Sequence, residues 1–275
     1  MAEGSLTEIG PVVLVGAGKM GLALAQGWIK AGVKTDELVL VDPMPADAAK
    51  SFAEKHAVRL LAAPKGVLTA VLVLAVKPQI IDQVMAEVRP SVGPHTLVVS
   101  IAAGISLARL SAGLGTERIV RTMPNTPAQI GKGVTGAVGM AISEKDVATT
   151  EALLRAAGDV VWFDDEAMID AVTAVSGSGP AYVFHFVEAL AAAAMKQGLG
   201  ADEAIRLARQ TVIGAASLME HDPQPVATLR ENVTSPKGTT YAALQVLMAE
   251  EGGLKELVDR AVTAARKRSE ELGRG

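Results

Sequence analysis

Short apolar runs alternate with segments of helical spacing over the first 165 or so residues, and helical spacing alone continues from there to the end. Val12, Val13, Leu14 and Val15 form an unbroken apolar run, which predicts a strand buried on both faces, as in a parallel sheet covered by helices. A helix follows with Met20, Leu24 and Trp28 on one face, Lys30 in its last turn and Gly32 as its stop. Further strands are predicted at 37–41, 58–61, 68–76, 95–101, 118–122, 134–140 and 160–163, with helices at 46–56, 79–88 and 145–157. Strands alternating with helices argue for a doubly wound sheet. From residue 167 the pattern gives helices only, at 167–175, 180–196, 202–220, 226–233, 240–250 and 253–272. The boundary is therefore set at 164, with an α/β domain over 1–164 and an all-helical domain over 165–275.

One of these helices constrains the assembly. Over 180–194 its charged or ionisable groups reduce to His185 and Glu188, so it is apolar nearly all round and belongs in a large core or between subunits. A domain of about 110 residues is too small to enclose it, which predicts an intertwined homodimer through the helical half.

Composition narrows the class without naming a function. Apolar residues make up 49% of 275 but aromatics only 3%, so the core is built from Ala, Val, Leu, Ile and Met. A net charge of −4 with mixed signs gives no basic field for nucleic acid and no polybasic membrane patch. The chain has no cysteine, which excludes disulfides and thiolate chemistry and fits a cytoplasmic protein. The acidic opening MAEGSLTEIG lacks the features of a signal peptide, and Lys19, Lys77 and glycines interrupt the apolar runs, so no membrane span is expected. His56, His95, His185 and His221 are scattered without ligand spacing, so no metal site is expected either.

The chemistry begins at the first strand–helix turn. Gly16, Gly18 and Gly21 have the G-x-G-x-x-G spacing of a dinucleotide site, with Ala17, Lys19 and Met20 between them. Gly16 allows the tight turn, Gly18 lets backbone approach a pyrophosphate, and Gly21 lets the helix pack on the strand. The helix N-terminus offers N–H groups and a partial positive charge to that phosphate. This is the pattern of a Rossmann domain. Asp42, about 20 residues beyond the last glycine, is placed either to hydrogen-bond the adenosine ribose or to cap the Asp-Pro turn. Facing the ribose, it would repel a 2′-phosphate by about 1–4 kcal/mol at about 4 Å, which favours NADH over NADPH. Ligands in open α/β sheets lie outside the carboxyl ends of strands, so Ala75, Val76, Lys77 and Pro78 and the small residues around Ala102 should line the same crevice. The rigid stretch Met123-Pro124-Asn125-Thr126-Pro127 is either a site wall or a structural turn.

In the second half, two stretches rich in hydroxyls and glycine precede helices. Both Ser176-Gly177-Ser178-Gly179 before Pro180 and Ser235-Pro236-Lys237-Gly238-Thr239-Thr240 before Tyr241 are either ordinary caps or seats for a carboxylate or phosphate. The number of hydroxyls exceeds what capping needs, most clearly at 235–240. With no nucleophile elbow, P-loop or metal cluster, hydride transfer from a nicotinamide is the chemistry left.

The stretches VGAGKMG (15–21), AVKP (75–78), SIAAGIS (100–106), RTMPNTPA (121–128), VSGSGPAY (175–182) and ENVTSPKGTTYAAL (231–244) resemble pyrroline-5-carboxylate reductase, in order along nearly the whole chain. The resemblance implies a Rossmann domain, an all-helical dimerisation domain, often a ring of dimers such as a pentamer of dimers, and reduction of 1-pyrroline-5-carboxylate to proline with NADH or NADPH. It implies that residues 16–21 and 75–78 hold the cofactor, with Asn232 reaching it from the partner subunit. Ser235, Gly238, Thr239 and Thr240 would seat the substrate carboxylate, with Thr240 bonding the ring nitrogen and acting as the candidate proton donor; Ser176 is a further substrate candidate. Two residues depart from the family pattern: Lys237 stands where glycine is common, and Asp42 where many members have a small or basic residue. The alternatives are a β-hydroxyacid dehydrogenase or another imine reductase, and a redox-sensing binding protein. The hydroxyacid enzymes use a lysine in the helix that opens the second domain, and residues 181–195 contain none.

Overall fold

A computed structural model describes Leu6 and residues 9–273. The chain forms β1 (Val12–Val15), α1 (Lys19–Lys30), β2 (Leu38–Val41), α2 (Asp47–His56), β3 (Arg59–Leu61), β4 (Val71–Leu74), α3 (Ile81–Val88), β5 (Leu97–Ser100), α4 (Leu107–Leu114), β6 (Ile119–Met123), β7 (Gly133–Met140), α5 (Glu144–Arg155) and β8 (Gly158–Trp162). Then come α6 (Met168–Val172), a π-helical turn Thr173–Gly177, α7 (Gly179–Lys196), α8 (Ala201–His221), α9 (Val226–Asn232), α10 (Thr239–Leu247) and α11 (Leu254–Gly273). Two compact units result, Met1–Ser178 with Arg266–Gly275, and Gly179–Ala265.

The first unit is built on one sheet in the order β3-β2-β1-β4-β5-β6-β7-β8. Its central strands β1, β2, β4 and β5 are short and buried on both faces because their alternate residues feed two cores. Val12, Leu14, Leu38, Leu40, Val71 and Val73 join Leu24 and Trp28 of α1 and Leu153 and Leu154 of α5. Val13, Val15, Val39, Val41, Leu72 and Leu74 join Ile81, Val84 and Met85 of α3 and Leu107, Leu110 and Leu114 of α4. Each fully buried Leu or Val contributes about 1.5–3 kcal/mol, so the continuous runs read from the sequence are the main support of this unit. Trp28 Nε1 donates to the Leu153 carbonyl at 2.8 Å, and a Cβ at Gly27 would lie 2.5 Å from the Ala156 oxygen, so α1 and α5 touch backbone to backbone.

The structure corrects two of the sequence expectations and adds two features to them. The strand expected at 68–76 is only Val71–Leu74, because its neighbour β1 offers four residues of ladder, and Leu68 is 81% exposed. Helix α4 has no counterpart among the expected elements; Ser106 Oγ caps it by accepting the Arg109 N–H at 3.2 Å, and Gly115 ends it at φ +72°. The sheet is not parallel throughout, since β7 runs antiparallel to β6 after a tight 3₁₀ connection, Thr126–Ile130. Finally, 176–179 is not a break between helices, for the π-helical turn runs almost directly into α7.

The second unit has little interior of its own. Its core cluster is Ala191, Ala204 and Ala208 with Val187, Leu190 and Ala194 packed against it, while Phe184 is 65% exposed and Leu218 and Val246 are also open. Apolar surface on this scale marks a face for association.

Candidate functional site

The register of the sheet aligns four strand ends. Val15 pairs with Val41 and with Leu74, and Leu74 pairs with Ser100, so Gly16, Asp42, Ala75 and Ile101 emerge in one row at the carboxyl edge. This row flanks the switch point between β1 and β4, from which the chain order runs outward both ways. Backbone bonds fix the row: Gly16 N–H donates to the Val41 carbonyl at 2.8 Å, Ala75 N–H to Val15 at 2.7 Å, and Ile101 N–H to Leu74 at 3.0 Å.

Two of the three motif glycines are demanded by the protein itself. Gly16 has φ +98°, and a Cβ there would lie 2.5 Å from the Ala75 oxygen; a Cβ at Gly21 would lie 2.2 Å from the Gly16 oxygen. Gly18 is different. Its φ is −79° and a Cβ would meet nothing within 4 Å, so nothing in the chain requires glycine there. It also sits immediately before α1, at the capping position, where no side chain caps the helix. Open space beside an uncapped helix start fits a pyrophosphate that must approach the backbone closely.

Asp42 caps the Asp-Pro turn, its Oδ1 accepting the Met44 N–H at 3.0 Å, and its Oδ2 accepts the Ala17 N–H at 3.1 Å on the glycine-turn side. The carboxylate thus stands half-buried against the glycine turn at the end of β2. Lys77 is exposed just beyond the end of β4, with Pro78 opening a 3₁₀ turn behind it. Ala102 is buried beyond β5, its N–H donating to Ser100 Oγ at 3.3 Å. Glu166 secures that loop through one oxygen, Oε1, which accepts the Leu107 N–H at 2.7 Å and pairs with buried Arg121 at 2.7 Å. Sequence reasoning missed this clamp because its members lie 45 and 59 residues apart with no local signal.

The 235–240 stretch holds together by itself. Gly238 N–H donates to the Ser235 carbonyl at 3.0 Å, and Lys237 adopts φ +59° to complete the turn. A Cβ on Gly238 would lie 2.2 Å from Ser235 Oγ, so that hydroxyl lies against the start of α10. Gly238 precedes α10 without any side-chain cap, leaving the first-turn N–H groups of Thr239 and Thr240 without helical acceptors. An anion is what such a start attracts. Asn232 ends α9 three residues before Ser235 and is exposed.

Ser176 fares less well as an open seat. Its hydroxyl donates to the Val172 carbonyl at 3.0 Å, Thr173 Oγ1 to Ile169 at 2.8 Å, and Ser178 Oγ to Thr173 at 3.1 Å, so these hydroxyl protons serve the helix's own carbonyls. The expectation that 176–179 presents a free helix start is corrected accordingly.

Among the described residues no group of three His, Asp or Glu could hold a metal, and no helix is long and apolar enough to cross a membrane. A further embedded ion pair, Arg118–Asp146, lies away from the carboxyl row. Asp146 takes Arg118 Nε at 2.9 Å and the Ser143 N–H at 2.9 Å; burial pushes its carboxyl up, but the Arg118 and Ser143 hydrogen bonds outweigh this and hold it below the usual carboxylate range.

Residues 166–272 match the family described as pyrroline-5-carboxylate reductase dimerisation, and residues 11–104 match the NADP oxidoreductase, coenzyme F420-dependent family. A pyrroline-5-carboxylate reductase from Pseudomonas aeruginosa is 42% identical over 264 residues, 95% of this chain and 96% of the relative. The chain belongs to the pyrroline-5-carboxylate reductase family. The structure of a pyrroline-5-carboxylate reductase from Coxiella burnetii superposes with a TM-score of 0.90 at 37% identity, covering 96% of this chain and 99% of that one. That of the Plasmodium falciparum pyrroline carboxylate reductase, determined with NADP bound, gives 0.79 at 30% identity, covering 96% and 98%. Membership of the pyrroline-5-carboxylate reductase family makes the apolar surface of the second unit a self-association surface, since the dimerisation match spans that unit.

Proposed function

We propose that this chain reduces 1-pyrroline-5-carboxylate to L-proline with NADH or NADPH. The reading is carried by two features present on one chain, a glycine turn whose central Gly18 faces open space and an uncapped helix start at Thr239 edged by Ser235 Oγ. In this reading Gly16, Ala17, Gly18, Lys19, Met20 and Gly21 hold the pyrophosphate, while Ala75, Val76, Lys77, Pro78 and Ala102 flank the rest of the dinucleotide. Asn232 reaches the cofactor from the partner subunit. Bound reduced dinucleotide supplies a hydride for the C5 carbon of the imine.

The chain's own residues bind, orient and protonate. Ser235 Oγ and the N–H groups at the start of α10 hold the substrate carboxylate, with Ser176 as a further substrate contact. The Thr240 hydroxyl bonds the ring nitrogen and keeps its proton in place, which makes the adjacent carbon electrophilic. Asp42 bonds the adenosine ribose, disfavours a 2′-phosphate and gives NADH the advantage. Functionally the division is 1–164 for the dinucleotide and 165–275 for dimerisation and substrate, in a cytoplasmic homodimer that assembles further as a pentamer of dimers. The lack of cysteine agrees with that compartment.

The test is loss of reduced-nicotinamide absorbance with purified protein and pyrroline-5-carboxylate, NADH and NADPH in parallel. Oxidation of either supports the reading; bound dinucleotide with no oxidation of either points instead to another imine or to a sensor. Thr240→Ala is expected to lower turnover by about 10²-fold or more with dinucleotide affinity kept, and unchanged turnover would remove Thr240 from the mechanism.

A further inference from the structure

The role of the Met123-Pro124-Asn125 stretch, open at the level of sequence, is visible in the hydrogen bonds of Asn125. Its side chain is 8% exposed. Oδ1 accepts the N–H of Val134 at the start of β7 at 3.0 Å, and Nδ2 donates to the carbonyl of Ser176 at 3.2 Å. Ser176 belongs to the π-helical turn Thr173–Gly177, where the Ser178 N–H bonds back five residues to the Thr173 carbonyl at 2.9 Å. π-Helical turns inside helices are uncommon and concentrate at functional sites.

The sequence explains why a donor must come from elsewhere. In a regular α-helix the Ser176 carbonyl would be satisfied by the N–H of residue 180, and residue 180 is proline, which has none. The Ser176 carbonyl is half-buried, and a carbonyl withdrawn from water without a donor is costly. Nor can the nearby hydroxyls help, because those of Thr173, Ser176 and Ser178 already serve other carbonyls. The turn has little room to shift: a Cβ at Gly177 would lie 2.9 Å from Met123 Cε, and one at Gly136 would lie 2.8 Å from the Val172 methyls.

We infer that Asn125 is a positioning residue for the reduction, its amide replacing the N–H that Pro180 lacks and thereby fixing the π-helical turn that carries Ser176 and leads into α7. The kinetic part rests on the proposed reduction. Hydride transfer depends on placement, and a shift of about 1 Å transmitted from a distance costs about 10²-fold in rate. Asn125 acts through Ser176 and does not touch the reacting atoms.

A double-mutant cycle over Asn125→Ala and Pro180→Ala tests this, reading kcat, NADH affinity and melting temperature. Asn125→Ala is expected to lower kcat at least about tenfold with NADH affinity within about twofold of wild type. Pro180→Ala alone should change little, and in its background Asn125→Ala should cost less than about threefold, because replacing the proline restores the missing N–H. An unchanged kcat in Asn125→Ala, or the same loss in both backgrounds, overturns the inference. Asn125→Asp provides a second reading that a simple loss of packing would not give. Its oxygen still accepts from Val134, but the ionised carboxylate opposes the Ser176 carbonyl, whereas the protonated acid donates to it. Activity relative to wild type should therefore rise as pH falls through the pKa of the introduced acid; a flat ratio contradicts the donor role. Should the wild-type protein not reduce the imine, the melting-temperature cycle still tests the pairing: coupling between the two positions supports it, and additive effects overturn it.

Discussion

Replacing Asp42 with asparagine separates charge from shape at the turn that would meet the adenosine ribose. The carboxylate accepts two backbone bonds, from Ala17 at 3.1 Å and from Met44 at 3.0 Å. Asparagine keeps one accepting oxygen and loses the other, a cost of about 1 kcal/mol that falls on both cofactors alike and cancels in their ratio. What does not cancel is the charge. A 2′-phosphate at about 4 Å from Asp42 meets a repulsion of about 1–4 kcal/mol per unit charge, depending on screening. Removing it should raise the ratio of kcat/KM for NADPH over NADH by about fivefold to about 700-fold, at about 1.4 kcal/mol per decade. The assay is initial-rate oxidation of each cofactor by wild type and Asp42→Asn at low and at raised salt, the wild-type discrimination shrinking as salt screens the repulsion. A ratio that moves less than about twofold, against the smallest repulsion worked above, would show that Asp42 serves the turn alone and does not face the 2′ position.

Gly18→Ala should leave the melting temperature unchanged, since a methyl there meets nothing within 4 Å, but weaken dinucleotide binding; Gly21→Ala, 2.2 Å from the Gly16 oxygen, should instead destabilise the fold by about 1–3 kcal/mol in denaturant unfolding. Equal effects at both positions would remove Gly18 from the binding argument. Asp146→Asn should cost stability at pH 7, and the gap to wild type should close as pH falls below about 4, because a carboxyl held low in the folded state stabilises fully only above its unfolded pKa and loses that contribution as pH falls through the folded one. A gap independent of pH would place the loss in packing. Phe184→Glu, at a position 65% exposed in the single chain, should release monomers in sedimentation velocity, and an unaltered assembly would put the interface elsewhere.

How legible each part was depends on the range of its cause. The glycine spacing, the four-residue apolar runs and the stop at Gly32 are local, so β1, α1 and the crevice beside them follow from neighbouring residues. Strand ends are set by partners. Residues 68–70 have the composition of a strand, yet β1 supplies no ladder for them. Helix α4 carries its signals openly, with Leu107, Leu110 and Leu114 on one face after the Ser106 cap, but Ser111 and Gly113 dilute them. The serine, glycine and proline of 176–180 signal a helix start, and the chain continues there because Asn125, 51 residues earlier, provides the donor that proline withholds. The Glu166–Arg121 clamp is hidden for the same reason. Within the candidate site, 235–240 was readable because its turn and helix start are built from consecutive residues.

The most direct test of the account follows the hydride itself. Reduced dinucleotide labelled with deuterium at the transferable C4 position is incubated with the protein and pyrroline-5-carboxylate, and the product is examined by NMR. One deuterium at C5 of L-proline for each dinucleotide oxidised is the predicted result; dinucleotide bound but no labelled proline formed would contradict the account.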